Sequence, residues 1–188
     1  MRILEHILQA EADVIEKVAG LPIDLTAMTV ASNIWRASQL FRQQMERGIL
    51  KDYQLTWASF STLYIVWVWG PIEMGEIAIS QSVGPSTVTS TVSLLEKRGY
   101  CERYHRNGNR RSVVVSLTAT GKALIEQIFP RFNQQEKAFI SALDEDEAQI
   151  LTELLRKIIK QQADSPLLGL EKPSMDDGLG VEDLVDRI

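Results

Sequence analysis

Residues 84–121 read GPSTVTSTVSLLEKRGYCERYHRNGNRRSVVVSLTATG, and this stretch decides the fold. It opens as a helix. Gly84 suits an N-cap and Pro85 the first helical position, where its missing N–H costs nothing. Val88, Val92 and Leu95 share one face, and Gly99 stops the helix after Arg98. At Tyr100 the apolar period changes from about 3.6 to about 2. Residues 100–106 and 111–117 are strand candidates. Asn107-Gly108 between them is a hairpin signal, because both turn residues tolerate positive φ.

Working outward, Glu73–Ser80 reads as a short helix, joined to the helix at Pro85 by the tight connection Gln81-Ser82-Val83. Its Ile77 and Ala78, with Val83, are the expected seat for Val88, Val92 and Leu95. Before it, Thr56 caps a helix reaching Trp69 and ended by Gly70-Pro71. That helix is apolar nearly all round, which predicts a central buried position. Asp24 is the expected N-cap of a helix running to near Gly48, with Met28, Ile34, Trp35, Leu40, Phe41 and Met45 recurring along it. Residues 2–18 place Ile3, Leu4, Ile7, Leu8, Val14, Ile15 and Val18 at helical spacing. Downstream, Thr118 caps a helix to about Phe139, which Pro130 is expected to kink or divide. Asp144 with Glu147 forms a capping box for a last helix, about 145–162, striped by Ile150, Leu151, Leu154, Leu155, Ile158 and Ile159. From Ala163 the chain reads as an acidic linker with a short helix at Val181–Ile188.

A short helix pair followed at once by a hairpin is a winged helix-turn-helix. The expected fold class is mainly α with a small β-hairpin wing, set between N- and C-terminal helices. The apolar stripes at Ile3–Val18 and Ile150–Ile159 lie at opposite chain ends, and a small monomer would struggle to bury both. They point to a homodimer, with residues 1–50 and 122–163 as dimerisation helices around a DNA-binding lobe at 51–121.

Composition fits this. The 188 residues are 45% hydrophobic and 24% charged, as in soluble globular chains. The most apolar run, Leu63 to Trp69, is far shorter than the roughly 18 residues of a membrane span, and no signal peptide is visible. One cysteine, Cys101, excludes an intrachain disulfide and suits a reducing cytoplasm. The net charge of −5 argues at first against nucleic acid, but its distribution matters more. Of 25 acids and 20 bases, residues 164–188 hold seven and two, which leaves 18 of each in the body. Lys97–Arg111 carries six bases and only Glu102 as an acid. DNA binding needs local phosphate neutralisation rather than a basic whole.

On the second helix, Ser86, Thr87, Thr89, Ser90, Thr91 and Ser93 are expected to face outward. Short hydroxyls allow close backbone approach and meet phosphates or base edges. A solvated face is the plain alternative, but Ser and Thr at six of eight positions lower helix propensity, which favours a contact role. The hairpin adds Arg103, His105, Arg106, Arg110 and Arg111. Arginines at a ribbon tip suit a minor groove, or else only keep an exposed hairpin soluble. The candidate DNA contacts are therefore Pro85, Ser86, Thr87, Thr89, Ser90, Ser93, Lys97, Arg103, Arg106, Arg110 and Arg111.

Here the chain resembles the multiple-antibiotic-resistance-regulator (MarR) family. The resemblance is carried by Leu55-Thr56-Trp57-Ala58-Ser59-Phe60, Gly75-Glu76-Ile77-Ala78 and Gly84 to Ser90. It continues through Leu95 to Arg103, Asn109 to Val113 and Val115 to Gly121, and covers about residues 25–160. It implies a ligand-responsive repressor, a homodimer with interleaved terminal helices, on a palindromic double-stranded operator. Recognition helices would enter successive major grooves and wing tips the flanking minor grooves. The family's minor-groove arginine matches Arg111. Two features depart from the pattern. Asn109 stands where many members carry an aspartate, and the helix at 2–18 and the acidic tail extend beyond the minimal family.

Family members bind small aromatic or anionic effectors where the dimer region joins the DNA lobe, which makes Trp35, Arg36, Trp57 and Trp67 effector candidates. Core packing is the favoured reading for each tryptophan, and a surface ion pair competes for Arg36. Cys101 reads as a small apolar strand residue ahead of a redox sensor. Two histidines, His6 and His105, make no metal cluster, and no nucleophile or carboxylate arrangement suggests an enzyme. No cofactor is expected. The rival to DNA binding is a winged-helix protein-interaction module.

Overall fold

A computed structural model describes residues 2–105 and 112–163. The expected Asn107-Gly108 turn, and the short helix at 181–188, lie outside the described residues. The chain forms two compact units, Met1–Arg47 and Gly48–Ile188.

The first unit holds α1 (Arg2–Val18) and α2 (Leu25–Arg47). Asp24 caps α2 as expected, its carboxylate accepting from the Ala27 N–H at 3.0 Å. Arg36 on α2 meets Glu11 on α1 at 3.0 Å. Much of the apolar surface of this unit faces outward: Val14, Ile15, Val30, Ile34, Trp35 and Leu40 are exposed.

The second unit begins with a single helical turn, α3 (Ile49–Asp52), which the periodicity does not reveal. Next comes α4 (Trp57–Trp69), where Thr56 accepts from the Ser59 N–H at 3.1 Å. Phe60, Leu63, Ile65 and Val66 are buried on it. The helix is central, packing on later helices and on the sheet. It is not buried to its end, because Val68 and Trp69 of the last turn are exposed. Its buried Thr62 hydroxyl donates to the Ala58 carbonyl (2.8 Å) and accepts from the Gln81 amide (2.8 Å).

Residue 73, expected to begin a helix, ends a strand instead. Strand β1 (Ile72–Glu73) pairs with a later strand and makes the sheet three-stranded. Two residues carry no period to read, so only the pairing of Ile72 with Val115 and of Glu73 with Val114 identifies the strand. Glu73 then caps α5 (Met74–Gln81) in a reciprocal capping box with Glu76. Ser82, at φ +51, turns the chain into α6 (Pro85–Lys97). Gly99, at φ +74, releases it into β2 (Cys101–His105). Antiparallel β3 (Val113–Leu117) pairs with β2 from Cys101↔Leu117 to His105↔Val113, and lies between β2 and β1.

Thr118 starts α7 (Ala119–Phe139), accepting from the Gly121 N–H at 3.0 Å. Pro130 sits inside this helix without dividing it. A proline removes one helical hydrogen bond. Here Phe129, stacked on Tyr64, and Phe132, stacked on Phe60, hold the chain to α4 on both sides of it. The capping box at Asp144 and Glu147 forms as expected, with bonds of 3.0 and 2.9 Å, and begins α8 (Glu145–Ala163). No described side chain of α8 is buried.

Gly121 sits where α7 passes the Tyr100 backbone. A Cβ there would lie 1.8 Å from the Tyr100 carbonyl oxygen. Gly121→Ala should therefore destabilise the lobe by about 1–3 kcal/mol, as overpacking does. Gly75→Ala, with nothing within 4 Å of its Cβ, should leave urea stability unchanged or slightly raised. Equal midpoints for the two variants would refute this account.

Candidate nucleic-acid interface

The interface is built on the inner face of α6. Val88, Val92 and Leu95 are fully buried where α6 packs on α4 and α5, and Ile77 and Ala78 are buried on α5. This fixes the rotation of α6 about its own axis. Pro85, Ser86, Thr87, Thr89, Ser90 and Lys97 are consequently exposed, and Ser93 is half-buried. Thr91 corrects the expectation of an outward hydroxyl: it is only 9% exposed and belongs to the inner face. One helical turn separates it from both Val88 and Leu95, so it turns inward with them.

Two of the outward hydroxyls are already oriented. Thr89 donates to the Pro85 carbonyl and Ser90 to the Thr87 carbonyl, each at 2.9 Å. Their oxygen lone pairs therefore point away from the helix as acceptors. Gly84 caps α6 with no side chain, which leaves the first turn open to solvent and its partial positive charge uncovered.

The wing is tied to this helix by a clamp. Arg103 on β2 donates to Glu96 on α6 through Nε (3.1 Å) and Nη2 (2.5 Å), and its backbone N–H reaches the other carboxylate oxygen (3.2 Å). Arg103, a candidate DNA contact, is a partly covered side chain that holds the ribbon to the helix. The Arg103 hydrogen bond also lowers the pKa of the Glu96 carboxyl. At the other strand, Ser112 donates to Glu73 at the start of α5. Arg98, at the end of α6, donates to the carbonyls of Gln54 (2.7 Å) and Tyr53 (3.2 Å) and lies over the Tyr100 ring. The roles of Glu73 and Glu96 are invisible to motif reading, because each partner is fixed only by the fold. Arg106, Arg110 and Arg111, with Asn109, lie outside the described residues.

The four effector candidates are divided between the two compact units. Trp57 packs on Phe60 and Phe132, and Trp67 on Tyr64 and Phe129, in one aromatic ladder between α4 and α7. Trp35 and Arg36 belong to the other compact unit. There Trp35 is 63% exposed and is no core residue of the single chain, while Arg36 is paired with Glu11. Cys101 is buried and its thiol faces the Val92 carbonyl at 3.7 Å. Burial raises its pKa from 9.0 to about 11, with Glu96 adding to the effect. Among the described residues no cluster suits a metal ion, and no helix is long and apolar enough to cross a membrane.

Residues 55–113 match the family model described as "MarR family". A curated relative, the uncharacterized HTH-type transcriptional regulator YwaE of Bacillus subtilis (strain 168), is 36% identical over 157 residues, covering 82% of this chain and 92% of its own. Among solved structures, the C80S mutant of MarR from E. coli complexed with operator DNA superposes with a TM-score of 0.64 at 25% identity. That match covers 71% of this chain and 95% of the other. Bordetella bronchiseptica BpsR, whose DNA binding is regulated by 6-hydroxynicotinic acid, gives 0.63 at 27% identity, covering 69% and 98%.

The Glu96–Arg103 clamp should show as coupling in urea unfolding. Glu96→Ala and Arg103→Ala should each destabilise by about 1 kcal/mol, since the pair is charge-assisted but partly exposed. The double variant should lose little more than either one; strictly additive losses would show no clamp. For Cys101, the folded thiol has the raised pKa. Its stabilising contribution is full below the unfolded value near 9.0 and is lost as pH rises towards about 11. At pH 8 a thiol-reactive disulfide reagent should label the native chain far more slowly than the urea-unfolded one. Comparable rates would contradict the burial.

Proposed function

Because the chain belongs to the MarR family of DNA-binding transcription regulators, we propose that it acts as a homodimeric, ligand-responsive repressor in the cytoplasm, bound to a palindromic double-stranded operator. The single observation that carries this reading is the outward row of α6. Ser86, Thr87, Thr89, Ser90 and Lys97 are all exposed on a helix locked from behind by Val88, Val92 and Leu95. A face built of short hydroxyls and one cation suits base edges and phosphates in a major groove. Pro85 and the half-buried Ser93 flank it. Arg106, Arg110 and Arg111 serve as the wing-tip contacts, with Arg111 in the minor groove. Arg103 contributes by holding the wing rather than by reading DNA.

Residues 51–121 form the DNA-binding lobe, and residues 1–50 and 122–163 the dimer region. The dimer is supported by apolar surface that each unit leaves bare. Ile150, Leu151, Leu154, Ile158 and Ile159 are exposed along α8, and Val14, Ile15 and Ile34 in the first unit. A second copy presents the same stripes and buries them by two-fold symmetry. Two reading helices then meet major grooves about one turn apart, roughly 34 Å. A small aromatic or anionic ligand that changes this spacing weakens simultaneous contact. BpsR, with its 6-hydroxynicotinic acid, makes that ligand class reasonable here. Trp35, Arg36, Trp57 and Trp67 are its candidate contacts.

Selection of genomic fragments by the purified full-length chain tests the reading. It should enrich a palindrome bound in a salt-sensitive manner, with one dimer per site by sedimentation. Arg111→Ala should weaken binding to that site by about 1–3 kcal/mol in a gel shift. Enrichment of no sequence, or an affinity indifferent to salt, would instead favour a winged helix used for protein contacts.

A further inference from the structure

Beyond Pro85 at its start, the outward face of α6 carries one residue that hydroxyl-and-cation chemistry does not explain. Successive helical residues turn by about 100°, so Thr87, Ser90, Leu94 and Lys97 fall along one stripe, turned away from Val92 and Leu95. Leu94 is 45% exposed there. Single exposed leucines are ordinary on protein surfaces. This one lies on the surface that loses its water when α6 enters a groove, which rests on the assignment of α6 as the reading helix. We propose that Leu94 recognises the methyl group of a thymine in each operator half-site.

A leucine pressed on a phosphate or on a base donor strips water from a polar group and returns no hydrogen bond, which costs affinity. The floor of the major groove offers a single apolar feature, the thymine C5-methyl group. The neighbours of Leu94 leave it that role. Ser90, one turn before, donates its hydroxyl proton to the Thr87 carbonyl. Lys97, nearly one turn after, is a flexible cation suited to phosphate. The nearest acid, Glu96, lies on the other side of the helix and is held by Arg103. Between Ser90 and Lys97 on this stripe, Leu94 is the apolar side chain among the described residues.

The test uses the duplex obtained from a random-sequence selection with the full chain, and replaces each thymine in turn by deoxyuridine. This removes one methyl group and preserves base pairing. At one thymine per half-site the wild-type chain should lose about fourfold in affinity, and about fifteenfold when both half-sites are changed, the worth of one buried methyl each. Leu94→Ala, whose exposed position leaves the fold intact by circular dichroism and melting, should bind the thymine and uridine duplexes equally. Leu94→Met should keep most of the discrimination. If no thymine shows the loss, or if Leu94→Ala loses as much as wild type at the same thymine, the proposal is overturned while the DNA-reading role of α6 stands. If no duplex is enriched at all, the reading-helix assignment falls and takes this proposal with it.

Discussion

Val88, Val92 and Leu95 pressed into the centre of the second unit form the contact on which the rest of the interface depends. A helix can be rotated about its axis with little intrinsic preference, and each residue of rotation presents a different set of side chains. Burying these three side chains, worth roughly 1.5–3 kcal/mol each, selects one rotation. The hydroxyl row faces solvent because the apolar row does not. The same burial offsets the poor helix propensity of six Ser and Thr residues in eight positions, which would leave the segment frayed on its own.

Polar ties then set angles that apolar packing leaves loose. Glu96–Arg103 joins the helix to the outer strand of the wing, Glu73–Ser112 joins the preceding helix to the base of the inner strand, and Arg98 pins the end of α6 to the Tyr53–Gln54 carbonyls. At partly exposed sites such ties add little stability. Their consequence is geometric: they hold helix and ribbon together as one body. The reactive groups nearby are kept quiet. Glu96, the one acid on α6, is paired with Arg103, and the Cys101 thiol is buried with its pKa raised. The apolar stripes of the terminal helices are a separate matter: among the described residues their side chains stay exposed.

Much of this was legible in one dimension because caps and stops act over three or four residues. Asp24, Thr56, Thr118 and the Asp144–Glu147 box start helices where their spacing says they should. Gly84-Pro85 and Gly99 bound α6 in the same way. The failures share the opposite property. Strand β1 is two residues long and exists through Val114 and Val115, some forty positions away. Pro130 does not end α7, where the aromatic contacts of Phe129 and Phe132 hold the chain to α4 on both sides of it. Thr91 looks like its hydroxyl neighbours but turns inward with Leu95.

What the chain determines by itself is the order of elements, the boundaries of most helices and the chemistry displayed on each face, because these follow from backbone preference and periodicity at short range. What only the tertiary structure decides is which charged groups remain available. Arg103 reads as a candidate DNA contact and Arg98 as one more base of a basic segment, yet both have partners on other parts of the fold. The reason is that a charged side chain takes a carboxylate or carbonyl partner wherever the fold brings one within reach, and that proximity is not written in their spacing along the chain.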